Sequence, residues 1–257
     1  MQISNYSDIC DWETKFILGD RNNEINFWKT VAELYLGNIL ELGAGTGCFT
    51  IPLIKSGFNV CAVDNSAAAL QKLKSKADGI TGGGELNIIE ADMRHLDLDK
   101  KFSLCLATYS TFQYLLNSED QYKCLKTIND HLPLGGTLCL DLDNDILHPP
   151  QNLPLTELYS SFNTPLKVDI IMSTSWNTDL SLNVRHWQDY YKIQYNNKLI
   201  ADFTNNISLK QVSLNEITDL LTKSGFYILN IFGDYDFKDF TKESHRLIVV
   251  AQKIANQ

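Results

Sequence analysis

No segment of the sequence approaches the roughly 18 consecutive apolar residues that a membrane-spanning helix needs. The first residues, MQISNYSDIC, show no basic stretch followed by an apolar one, so no secretory leader is expected. Basic residues are scarce: 22 Lys and Arg stand against 31 Asp and Glu, a formal net charge of -9. That balance disfavours a nucleic-acid surface, which is built from clustered Lys and Arg. The six cysteines include no C-x-x-C pair. Cys61, Cys105 and Cys139 fall inside apolar runs, where a free thiol behaves as a small hydrophobe. A reduced, cytoplasmic protein without a disulfide framework is expected. No H-x-x-x-H or HExxH spacing suggests a metal site. Long internal repeats and low-complexity segments are also absent.

What the 257 residues do contain is a regular alternation of short apolar runs and helical patterns, the mark of a parallel sheet covered by helices. The pattern predicts strands at Asn38–Leu42, Asn59–Asp64, Leu86–Ala91, Phe102–Thr108, Thr137–Leu142, Tyr227–Phe232 and Arg246–Ala251. Helices are predicted at Glu24–Leu36, Thr46–Ser56, Ser66–Ala77, Glu119–Leu132 and Leu214–Ser224. The tetrapeptide KSGF occurs twice, at Lys55–Phe58 and Lys223–Phe226, each time between a helical run and a strand, as a left-handed helix cap requires. One section breaks the rhythm. From residue 144 to 213, HPPQNLP is followed by alternating Leu180, Leu182 and Val184, an Asn196–Asn197 turn, and alternating Leu199, Ala201 and Phe203. A small antiparallel layer is expected there, rich in aromatics such as Trp176, Trp187 and Tyr191. The expected organisation is one α/β domain over residues 1–257, with an N-terminal helical cap (1–36) and the antiparallel insert (144–213) as a substrate lid.

The stretch NILELGAGTG ends the first strand in three alternate glycines, Gly43, Gly45 and Gly47. A dinucleotide fingerprint would need G-x-G-x-x-G, but its third glycine position is Cys48; the lysine of a phosphate-binding P-loop is missing too. Glu41, two residues before the loop, would repel a pyrophosphate and welcome an ammonium group. Asp64, at the end of the second strand, can accept from both hydroxyls of a ribose. The ligand so described has a ribose and a cationic end and lacks phosphate, which fits S-adenosylmethionine.

On LELGAGTG (Leu40–Gly47), VCAVDNS (Val60–Ser66), EADMRHLDL (Glu90–Leu98), FSLCLATYSTFQYL (Phe102–Leu115) and INDHLPLGGTLCLDL (Ile128–Leu142), the sequence resembles the class I S-adenosylmethionine-dependent methyltransferases, in their small-molecule branch. The resemblance implies a Rossmann-like, seven-stranded, mostly parallel sheet with helices on both faces and an antiparallel last strand. It implies that Glu41, Gly43, Ala44, Gly45 and Gly47 hold the methionine part. Asp64 would bind the ribose, Asn65 would line the adenine pocket, Asp92 would accept from the adenine amino group and Met93 would cover the ring. Ala107 and Tyr109 would approach the transferable methyl, and Tyr6 or Trp28 would close the site. Cys48 and Ser103 depart from the usual family residues.

No residue announces itself as a base; Tyr109, His148 and His186 are the candidates. Arg94 is read either as a ligand contact or as a partner of Asp92 or Asp97. His131 is placed to favour a helix dipole, and Asp141 and Asp143 near the active face are open to a structural or substrate-orienting role. The expected partner is a small-molecule methyl acceptor, with nitrogen slightly favoured over oxygen or carbon. Neither nucleic acid nor membrane is expected, and the protein would be a monomer or homodimer. A cofactor-binding module without turnover, and a protein or RNA methyltransferase, are the alternatives.

Overall fold

The computed structural model describes residues 3–144, 152–163 and 167–255. In chain order the regular elements are α1 (Cys10–Leu18), α2 (Asn22–Leu34), β1 (Ile39–Leu42), α3 (Thr50–Lys55), β2 (Val60–Asp64), α4 (Ala67–Ala77), β3 (Leu86–Glu90), β4 (Leu104–Ala107), α5 (Ser118–His131) and β5 (Thr137–Asp143). They continue with β6 (Leu153–Asn163), β7 (Asp169–Asp179), β8 (Val184–Tyr195), β9 (Lys198–Lys210), α6 (Leu214–Lys223), β10 (Phe226–Phe232) and β11 (Arg246–Lys253). They fall into two compact units, one holding α1 and β6–β9, the other α2 to β5 and everything from Gln211 onward. The divisions at Arg21 and Lys210 lie inside the stretches expected as cap and insert.

The larger unit is a seven-stranded sheet in the order β10-β11-β5-β4-β1-β2-β3. β1 to β5 run parallel, and β11 is antiparallel to both its neighbours. The central strands β1 and β4 are buried throughout, as parallel strands covered on both faces must be. One apolar cluster joins Leu40, Leu42, Cys105 and Leu140 to Leu125 and Ile128 of α5 and Ile217 and Leu221 of α6. The cluster on the opposite face joins Ile39, Ala62 and Leu106 to Phe27 and Trp28 of α2, Leu53 of α3 and Leu73 of α4. Strand order reverses between β1 and β4, and the carboxyl ends of those two strands therefore form the crevice in which open α/β sheets bind ligands.

Both KSGF glycines adopt the left-handed backbone the sequence predicts, with φ of 91° at Gly57 and 79° at Gly225. α3, however, begins at Thr50 and not Thr46. Gly43, Gly45 and Gly47 all have positive φ, which no right-handed helix accommodates, so residues 43–49 form turns.

The other unit is a four-stranded antiparallel sheet, β6-β7-β8-β9. The β8–β9 hairpin turns at Asn196 and Asn197, with φ of 49° and 59°, the two-residue turn these asparagines suggest. Leu180 and Leu182 are not strand residues as their alternation predicts. They lie exposed in the β7–β8 turn, where the Asp179 carboxylate accepts from the Ser181 and Leu182 amides at 2.9 and 3.1 Å. The helix α1, absent from the sequence prediction, belongs to this unit. Its Glu13 is buried and accepts from the hydroxyls of Tyr191 at 2.9 Å and Tyr159 at 2.5 Å. The insert's aromatics are used partly for packing, with Tyr191 and Phe203 stacked at 5.2 Å.

Candidate active site

The exception to the apolar character of the central strands is Glu41, in β1 and only 1% exposed. A charge in that position is costly unless it is paired. Thr50, the first residue of α3, donates to its Oε2 at 2.6 Å, and no other hydrogen bond to this carboxylate is found among the described residues. Burial raises its pKa from the usual carboxylate value to about 7, opposed by the Thr50 hydrogen bond and reinforced by the Asp64 charge. A deeply placed carboxylate with one such hydrogen bond at the crevice is what an ammonium group would complete.

The glycine loop follows. A Cβ on Gly43 would fall 2.3 Å from Thr111 Oγ1, and one on Gly47 would fall 2.3 Å from Leu73 Cδ1, so both glycines permit close packing. Gly45 differs: at φ +55 its Cβ would meet no atom within 4 Å. The loop presents bare backbone to open space only there among its three glycines. The Gly45 amide donates to Asp64 Oδ2 and the Ser66 amide to Asp64 Oδ1, both at 2.8 Å. The helix cap at α4 falls to Ser66, whose hydroxyl accepts from the Ala69 amide at 3.3 Å. Asn65 is exposed between them.

At the end of β3, Asp92 is partly exposed and gripped by Arg94. The Arg94 Nε lies 3.0 Å from both carboxylate oxygens, Nη2 lies 2.5 Å from Oδ2, and the Arg94 amide donates to Oδ1 at 2.9 Å. Arg94 Nη1 also reaches Asp120 at 2.8 Å, so this arginine pairs with Asp92 and Asp120 and, among the described residues, not with Asp97. The hydrogen bond from Arg94 lowers the Asp92 pKa to about 2. Met93 is half-buried against the cluster that contains Ala107. Ala107 ends β4, and Tyr109 after it is 49% exposed with φ of 50°.

Residues 39–136 match the family model described as a methyltransferase domain. Over that stretch, less than half of its length, the chain is similar to methyltransferase domains. Among curated relatives, a carboxy-S-adenosyl-L-methionine synthase of Vibrio vulnificus is 33% identical over 107 residues, 40% of this chain and 42% of that protein. The chain thus spans under half the length of that relative. A cypemycin N-terminal methyltransferase of a Streptomyces species is 25% identical over 84% of this chain and 82% of its own. In fold, an S-adenosylmethionine-dependent methyltransferase of Clostridium acetobutylicum superposes with a TM-score of 0.81 at 18% identity, covering 97% of this chain and 99% of the other.

S-adenosylmethionine is the cofactor, and the residues present fit it. The open face of Gly45 and the Glu41 carboxylate have been described. A third fit is Trp28, 1% exposed in the same cluster as Ala44 and Phe49, whose Nε1 has no hydrogen-bond partner among the described residues. An orphaned buried donor next to the loop suits an acceptor on a ligand.

Two positions read from sequence, Tyr6 and His186, belong to the antiparallel unit. Tyr6 is tilted against Tyr191 with ring centroids 5.8 Å apart. His186 sits on β8 of that unit, exposed, its Nδ1 2.8 Å from Ser208 Oγ. His148 lies outside the described residues. His131 does not act as a charged helix-dipole partner. It is buried, its Nε2 accepts from the Leu98 amide at 3.0 Å, and its Nδ1 therefore carries the proton given to Thr127 O at 2.7 Å, which makes the ring neutral. Sequence reasoning missed Thr50 and the tie between Asp141, Arg246 and Tyr235; the acids in CLDLD hinted at the latter, but its partner lies 105 residues away. No helix among the described residues is long and apolar enough to cross a membrane.

Proposed function

We propose that this protein is a cytoplasmic enzyme that transfers a methyl group from S-adenosylmethionine to a small-molecule acceptor, with an amine nitrogen as the favoured acceptor atom. The observation that carries the reading is the pairing of a buried, half-satisfied carboxylate, Glu41, with the open backbone of Gly45 at the topological switch point. When bound, the cofactor supplies an electrophilic methyl group on a sulfonium that is already a good leaving group.

The residues then have these roles. Glu41 binds the ammonium end, with Trp28 donating to the adjoining carboxylate. Asp64, already fixed by the Gly45 and Ser66 amides, takes the ribose hydroxyls on its remaining lone pairs. Asp92, held by Arg94, accepts from the adenine amino group while Met93 covers the ring and Asn65 borders it. Ala107 and Tyr109 flank the reacting methyl. Catalysis of an in-line displacement rests mainly on alignment, worth on the order of 7–11 kcal/mol in favourable cases. An amine need only arrive unprotonated, whereas a hydroxyl needs a base. Of the two base candidates among the described residues, Tyr109 and His186, Tyr109 is the one that follows a strand of the parallel unit. The relative named for N-terminal methylation supports nitrogen as the acceptor atom. The acidic balance supports a small molecule over RNA. We assign acceptor recognition to the antiparallel unit, whose aromatic strands offer stacking surfaces.

The test has two arms. Calorimetry should show S-adenosylhomocysteine binding and no NADH binding. A metabolite extract incubated with S-adenosyl-L-[methyl-3H]methionine should gain label in a small compound. Binding without transfer would leave a cofactor-binding module, and NADH binding would overturn the cofactor assignment.

A further inference from the structure

Tyr109 and Ser110 follow β4 with φ of 50° and 65°, two consecutive non-glycine residues in the left-handed region. Such a conformation is unfavourable for both residues and persists only where surroundings impose it. The Tyr109 amide donates to Asp141 Oδ2 at 2.8 Å and the Ser110 amide to the Asp141 carbonyl at 2.9 Å. The Arg246 Nη2 donates to Ser110 Oγ at 3.2 Å, and the Arg246 guanidinium lies 5.8 Å from the Tyr109 ring centre. One acid and one base thus both reach this turn from outside.

The acid of that pair is itself closed to ligands. Asp141 is fully buried, and its carboxylate accepts four donors: Arg246 Nε at 2.8 Å and Nη2 at 2.7 Å on Oδ1, the Tyr109 amide and the Tyr235 hydroxyl, at 2.9 Å, on Oδ2. Asp141 on β5 and Arg246 on β11 are diagonal neighbours on one face, since Arg246 stands opposite Asp143 and Ile248 opposite Asp141. A buried ion pair is poor evidence for added stability, because desolvating two charges offsets their attraction; its value lies in fixing one conformation. The turn also abuts the cofactor loop, for Thr111 beside Ser110 is the side chain that fills the space over Gly43.

We propose that Asp141 and Arg246 are positioning residues, which touch neither cofactor nor acceptor but hold the Tyr109–Ser110 turn left-handed so that the end of β4 faces the methyl group correctly. The catalytic part rests on the methyl-transfer reading given above; the conformational part does not. In Asp141→Asn, an amide donor replaces one acceptor in a site where all four neighbours donate. The Tyr109 and Ser110 amides should then exchange with solvent at least tenfold faster, while Gly45, held by Asp64, exchanges as before. Label transfer from S-adenosyl-L-[methyl-3H]methionine into the extract should fall ten- to a hundredfold, with S-adenosylhomocysteine affinity within about threefold of the parent. Adding Ser110→Gly, which accepts positive φ without cost, should recover part of the rate. Arg246→Lys serves as the milder variant if Asp141→Asn does not fold, and should show the same ordering. Unchanged exchange at both amides, or cofactor affinity falling as far as the transfer rate, overturns the proposal. If the parent protein transfers no label, the functional reading fails and the exchange arm alone decides the conformational claim.

Discussion

The Gly45 amide and the Asp64 carboxylate are joined by a 2.8 Å hydrogen bond, so the acid that ends β2 shapes the glycine loop of β1 as well as facing the ligand. Its second oxygen is fixed by the Ser66 amide. Asp64→Ala therefore does two things. Two amides lose their acceptor, which should lower stability by about 1–2 kcal/mol, and the ribose hydroxyls lose theirs, which should weaken S-adenosylmethionine binding by about 1–3 kcal/mol. Urea unfolding measures the first and calorimetry the second. Unchanged affinity would remove Asp64 from the ribose.

Glu41 predicts a pH dependence of binding. With its pKa near 7 in the free protein, it is largely protonated at pH 6 and largely ionised at pH 8. An ammonium group beside it would favour the ionised form and lower that pKa. Binding should then release a proton near neutrality, and affinity should fall as pH drops below 7. Calorimetry in two buffers of different ionisation enthalpy reads the proton directly. Glu41→Gln should weaken binding at pH 8 and leave it nearly flat between pH 6 and 8. For stability the sign is opposite to that of an ordinary paired acid. The folded pKa lies above the unfolded one, so folding is favoured by low pH, and about 3 kcal/mol is lost as pH rises from about 4.5 to about 7.

Asp92 is the contrasting acid. Arg94 holds its pKa near 2, so it stays ionised throughout the range in which Glu41 titrates. Arg94→Ala should leave that charge present but free to rotate. Cofactor affinity should drop by about 1 kcal/mol, with little change in stability because both side chains are substantially exposed. Competition between S-adenosylhomocysteine and adenosine separates the cause: both should weaken alike if adenine contact is what suffers.

How far these residues could be found without coordinates depends on sequence distance. The strands of the parallel sheet and the caps at Gly57 and Gly225 were legible because period, apolar runs and punctuation are local signals, whereas the reversed direction of β11 was implied by the family resemblance alone. Glu41, Gly45 and Asp64 stood out because their spacing puts them at the ends of consecutive strands, but the hydrogen bond between Gly45 and Asp64 was not foreseen. The alternation of Leu180, Leu182 and Val184 misled because a period of two over three residues does not tell a strand from a turn, and Asp179 decided for the turn. α1 escaped because it is held by burial of its Glu13, and of Ile9 just before it, against the distant strands β7 and β8. The Asp141–Arg246 pair was illegible for the same reason, since strand order, not chain order, makes them neighbours.

Two of the loop glycines, Gly43 and Gly45, should separate folding from binding. Gly43→Ala introduces a Cβ 2.3 Å from Thr111 Oγ1 and 2.9 Å from its Cβ, at a φ of +67 that alanine resists. Overpacking and the left-handed backbone together should cost about 2–4 kcal/mol of stability. Gly45→Ala meets no atom, so only the backbone contributes, about 1–2 kcal/mol. The new methyl group would instead stand in the space where bare backbone is offered to a ligand. Cofactor affinity should therefore fall at least tenfold, about 1.4 kcal/mol, in a protein that remains well folded. Urea unfolding with and without S-adenosylhomocysteine reads both quantities from one preparation of each variant. If Gly45→Ala binds as tightly as the parent, the open face of the loop is solvent and not the methionine cradle, and the electrostatic case for Glu41 loses its companion.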